Sequence, residues 1–97
     1  MDIHEFVKNA REAYTKKIKL LIDRKEYHKA YMDMANLVDI IDMRKEEMYA
    51  YIHMAPSFSV SARTLRDKLL GGNPLEIEES VKEFEAYSAQ TELPKSD

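Results

Sequence analysis

Three sets of side chains in this sequence have the types and spacing to do chemistry. The first is acidic. Asp39, Asp42 and Glu46 recur at three- and four-residue steps, His53 follows two turns on, and Glu76 and Glu79 repeat the three-residue step. Carboxylates one helical turn apart share a side and can hold a hard cation such as Mg²⁺. The second set is basic: Lys16, Lys17, Lys19, Arg24, Lys25 and Lys29 surround Tyr27, His28 and Tyr31. Cations beside stacking rings suit a nucleotide or another phosphate ligand. In the third, Ser57, Ser59, Ser61 and Thr64 accompany Arg63 and Arg66, and hydroxyls at a helix N-terminus bind phosphate.

Each set also has an ordinary structural explanation. Asp39-x-x-Asp42 with Glu76-x-x-Glu79 resembles the paired helical carboxylates of the all-α nucleotide pyrophosphohydrolases, and the resemblance implies a metal-dependent enzyme. That family pairs glutamates in a different order and closer along the chain, and the Glu-x-x-His repeat of di-metal bundles is missing here. A solvated acidic face accounts for these residues more simply. His4, His28 and His53 have no ligand spacing among themselves, and neither a Ser-His-Asp pattern nor a nucleophile elbow occurs. The expectation is therefore no enzyme, no metal and no cofactor. Tyr27 and Tyr31 fall on the apolar side of a helix, which draws the rings inward and leaves the surrounding cations as a solvated surface. The serines serve equally well as helix caps.

The elements that must position these groups are helices. Apolar residues make up 44% and charged residues 34% of 97, which suits one globular domain with one core. No window alternates apolar and polar residues as a half-buried strand does. Four of the five Gly and Pro residues fall between Pro56 and Pro74, so nothing interrupts the chain before them. A helix over about 2–22 presents Ile3, Val7, Ala10, Tyr14, Ile18 and Leu21 on one face, opened by a capping box of Asp2 and Glu5. That face falls out of phase beyond Leu21 and restarts at Tyr27, which predicts a tight hairpin turn, with Asp23 and Glu26 as a second capping box. The second helix, about 24–54, carries Tyr27, Ala30, Tyr31, Met34, Leu37, Val38, Ile41, Met48 and Ile52 toward the first. Pairing about Asp23 makes opposed residue numbers total about 47 and puts Lys45 beside Asp2 and Ile3. Two shorter helices follow. One spans about 59–70, with Ala62, Leu65 and Leu69 inward and Gly71 as its left-handed end. The other spans about 74–87, capped by Asn73 and Pro74, with Ile77, Val81 and Phe84 inward. The expected architecture is all-α and four-helix bundle-like, a domain over 1–87 with a frayed tail over 88–97.

The second helix is apolar on two sides. Opposite its core seam lie Met32, Asn36, Ile40, Met43, Ala50 and Met54. A helix apolar on two sides is packed on two sides, and five of the six methionines, adaptable side chains favoured at partner surfaces, fall on this helix. This predicts a homodimer or higher oligomer, with Asn36 setting register as buried polar residues do in coiled coils. The function expected first is a non-catalytic interaction protein, accessory, regulatory or of the phage-inhibitor type, that binds a macromolecular partner. Second comes a protein that sequesters a nucleotide or phosphate ligand through Lys16, Lys17, Lys19, Arg24, Lys25, Lys29, Ser59, Ser61, Arg63 and Arg66 at a subunit boundary. The pyrophosphohydrolase-like enzyme ranks third. A net charge of −3 disfavours general nucleic-acid binding. The chain has no cysteine, no signal-peptide pattern at its start and no membrane-length apolar run, so a cytoplasmic location is expected.

Overall fold

The computed structural model describes residues 3–47 and 55–91. They form α1 (Ile3–Ala13), a π turn (Tyr14–Ile18), α2 (Lys19–Asp23), α3 (Tyr27–Met43), α4 (Ala55–Gly71) and α5 (Pro74–Thr91), with no strand among them. The protein is all-α. α3 packs closely on α4 and α4 on α5, while α1 lies against α5. The arms of the α1–α3 hairpin approach one another mainly near the turn, through the π turn and α2. The core seam of α3 is therefore shared with α4 and is not covered by α1 alone.

Most of the inward residues expected from periodicity are buried; Leu21, Tyr27 and Tyr31 are only partly so, Met48 and Ile52 lie outside the described residues, and Phe58 joins the core without having been expected there. Ile3, Val7, Ala10, Tyr14 and Ile18 meet Ala30, Met34, Leu37, Val38 and Ile41, and Phe58, Ala62, Leu65, Leu69, Ile77, Val81 and Phe84 close the core. Its centre is aromatic. Tyr14 lies edge-on to Phe84 at 4.7 Å, and Phe84 stacks on Phe58 at 5.5 Å.

Four features of the helices differ from expectation. Asp23 ends α2 and caps nothing; the turn spans residues 24–26, and Glu26 precedes α3 without a side-chain cap. The turn closes as a Schellman motif, the Glu26 and Lys25 amides donating to the carbonyls of Leu21 and Ile22, both at 2.9 Å. Lys25 holds the left-handed position (φ 61°) that glycine usually takes. Centring the turn on Lys25 moves the pairing total to 50. Lys17–Asp33 (3.5 Å) and the Arg44 guanidinium 4.9 Å above the Phe6 ring both fit that total, three residues from the expected register.

Second, the long helix is interrupted. α3 ends at Met43 because Arg44 leaves helical geometry (φ −120°, ψ 14°), and residues 45–47 are helical again. Arg44 covers Phe6 and grips both Glu47 carboxylate oxygens at 3.1 and 2.6 Å. Those hydrogen bonds hold the Glu47 carboxyl below its ordinary pKa. Third, α4 begins at Ala55 rather than 59 and ends through Gly72 (φ 75°), not Gly71. Fourth, α5 continues to Thr91 rather than 87. Its start agrees with expectation, since Asn73 Oδ1 accepts from the Leu75 and Glu76 amides at 3.0 and 3.3 Å.

The π turn over Tyr14–Ile18 is not visible in the apolar periodicity. It adds one residue to a helical turn, closed by the Lys19 amide donating to the Tyr14 carbonyl. Thr15 lies within it, and its hydroxyl donates to the Arg11 carbonyl at 2.9 Å, a back-bond that loosens α-helical turns. The wider turn sends both Tyr14 and Ile18 into the core. It also leaves the Tyr14 hydroxyl buried without a hydrogen-bond partner among the described residues. Burial raises the Tyr14 pKa, with Glu85 and then Asp23 adding to the shift. Because the folded-state value lies above the unfolded one, titration of Tyr14 costs the fold nothing below about pH 10 and destabilises it progressively as pH rises past that value. Tyr14→Phe should stabilise the fold by about 1 kcal/mol at pH 7, with a larger advantage above pH 10. Urea unfolding of both proteins at the two pH values measures this, and a variant less stable than the parent would refute it.

Candidate interaction surface and groove

On α3 the exposed side is opposite the core. At 100° per residue, Ala30, Met34, Leu37, Val38 and Ile41 fill one arc, while Met32, Asn36, Ile40 and Met43 line the other. Folding of the single chain leaves Met32 55%, Ile40 48% and Met43 83% exposed. On the order of 400 Å² of apolar side chain thus faces water, the size at which surface patches on soluble proteins are often functional. Neither α4 nor α5 folds over it. Asn36 is exposed among these side chains. Ala50, Met54 and His53 lie outside the described residues.

The basic set is brought to the hairpin tip, where half of its charges are paired with carboxylates. Lys17 pairs with Asp33 at 3.5 Å, Lys29 with Glu26 at 3.1 Å, and Lys19 with Asp23 at 3.9 Å and Glu85 at 3.7 Å. Lys16, Arg24 and Lys25 are exposed and make no ion pair among the described residues. Tyr27 and Tyr31 pack partly buried against the core.

Beside this tip runs a groove of about 610 Å³ between the α2–α3 corner and α5. Ile22, Tyr27, Ile77 and Val81 give it apolar walls, and Lys19, Lys25 and Lys82 alternate with Asp23, Glu78 and Glu85 along its rim. Only Lys19, Lys25 and Tyr27 were legible as candidates. The α5 residues were not, because nothing local in the sequence places α5 beside the hairpin tip. Three carboxylates among three amines give the groove no net attraction for phosphate.

The serine–arginine set disperses. Helix α4 starts four residues before Ser59, so Ser59 and Ser61 are not at an open N-terminus. Both are buried, Ser61 donating to the Phe58 carbonyl at 2.9 Å and Ser59 Oγ having no partner among the described residues. Arg63 is drawn to Asp42 at 2.6 Å, an interhelical tie between α3 and α4, and Arg66 to Asp67 at 3.0 Å. That tie occupies one member of the acidic set. Among the described residues no three His, Asp or Glu side chains converge as metal ligands, and no helix is long and apolar enough to cross a membrane. Comparison with protein-family models, with curated proteins and with solved structures finds nothing that matches this chain.

Proposed function

We propose that this protein is a small non-catalytic helical interaction module that works by occupying a macromolecular partner, and that it self-associates through the outer face of α3. The supporting observation is the stripe of Met32, Ile40 and Met43, which is exposed while the other described helices are committed to the core. Methionine side chains adapt to a facing surface at low cost, which suits them to a contact between molecules. A two-fold contact needs only one self-complementary patch.

Light scattering at tens of micromolar tests the reading. The wild type should exceed monomer mass, and Ile40→Asp with Met43→Asp should return it to monomer with helicity unchanged. Both positions are exposed in the single chain, so the substitutions leave the core intact. A monomeric wild type, or an assembly indifferent to both aspartates, would remove the support for this surface.

A further inference from the structure

Resting on that reading, we infer that the occupant of the α3 face is a second copy of this chain, docked antiparallel with Asn36 on the two-fold axis. Charge decides the direction. The exposed face of α3 begins beside Lys25, His28 and Lys29, the last of them also paired with Glu26, and ends with Asp39, followed by Glu46. A parallel pair sets Lys29 against Lys29 and Asp39 against Asp39, like charges at contact range. An antiparallel pair lays the basic end of each helix along the acidic end of the other and opposes their dipoles.

Asn36 decides the register. Its carboxamide has no hydrogen-bond partner among the described residues, and burying it against an apolar side chain leaves a donor and an acceptor unmade. On the axis, each Asn36 amide donates to the oxygen of its copy, and both groups are satisfied. Met32 then faces the copy's Ile40, and Met43 lies along the alkyl stem of the copy's Lys29. The competing antiparallel register, with Met32 against Met43, buries Asn36 on Ile40 and loses the reciprocal pair.

The absence of cysteine makes the test clean, since each introduced thiol is the only one in its chain. Asn36→Cys, Met32→Cys, Ile40→Cys and Met43→Cys are prepared singly, with circular dichroism confirming the fold of each. They are oxidised alone and in pairwise mixtures, and the disulfides are identified by mass spectrometry. In the inferred arrangement Asn36→Cys cross-links to itself, and a mixture of Met32→Cys with Ile40→Cys gives the mixed dimer. Met32→Cys alone does not cross-link, because the two copies of residue 32 stand about 12 Å apart along the axis, beyond disulfide reach. Self-linking of Met32→Cys would show a parallel pair. A mixed Met32–Met43 product without an Asn36 self-link would show the shifted register, and either result overturns the inference. A wild type that scatters as a monomer fails the functional reading as well, whereas an assembly lacking these cross-links fails only the docking geometry.

Discussion

Removing Lys16 from the π turn should leave the fold standing, whereas removing Glu79 from α5 should collapse it. Both residues are exposed, so neither deletion takes a side chain from the core. A π turn holds one residue more than an α turn. Loss of Lys16 lets Tyr14–Ile18 relax into ordinary α-helix while the segments on either side keep their facing, and stability should stay within about 1 kcal/mol of the parent. Glu79 sits in regular helix between Ile77 and the later buried residues Ser80, Val81 and Phe84. Its loss rotates one side of α5 by about 100° against the other. Either Ile77 leaves the core with the Asn73 cap, or Val81 and Phe84 leave it. At about 1.5–3 kcal/mol for each large side chain, the cost is a large part of the 5–15 kcal/mol that holds a domain together. Urea titrations followed by circular dichroism, at one low protein concentration, would measure both. Equal damage from the two deletions would mean that residues 14–18 form an ordinary α-helical turn.

The second large effect is expected at Phe84. Its ring is fully buried, stacked on Phe58 from α4 and met edge-on by Tyr14 from the π turn. One side chain therefore joins three elements far apart in sequence. Phe84→Ala should cost about 3–5 kcal/mol, since it removes a large apolar group and leaves a cavity that rigid neighbours only partly fill. For a domain of this length that corresponds to a fall of roughly 15–30 °C in Tm. Phe84→Leu, which keeps most of the volume, should recover more than half of the loss. An alanine variant within about 1 kcal/mol of the parent would show that the aromatic centre is not what ties α5 to the hairpin.

The five predictions probe different levels of the molecule. Tyr14→Phe and the Lys16 deletion address one turn, the Glu79 deletion the phase of α5, Phe84→Ala the packing of three elements, and the aspartate and cysteine variants a surface that exists only once α3 is folded. Concentration matters to all of them if the chain assembles, because self-association adds to apparent stability by mass action.

What the sequence determined by itself was local and periodic. The recurrence of Ile3, Val7, Ala10, Tyr14 and Ile18, and of Ala30, Met34, Leu37, Val38 and Ile41, is a property of spacing along one helix, and those residues are the buried ones. Asn73-Pro74 was legible as a helix start because capping involves only neighbouring backbone amides. The second apolar side of α3 was legible for the same reason. The tertiary structure decided everything that depends on what stands opposite. Arg44 breaks the second helix while covering Phe6, thirty-eight positions earlier in the chain. Arg63 ties α4 to Asp42 of α3, a pairing that nothing in its own neighbourhood shows, and Ser59 and Ser61 are buried within α4, which starts four residues before Ser59. The groove beside the hairpin tip joins Lys19 and Lys25 to Glu78, Lys82 and Glu85, a grouping made by helix packing and by no motif. Helical periodicity reports which side of an element turns away from water. It carries no information about which distant side chain will be waiting there.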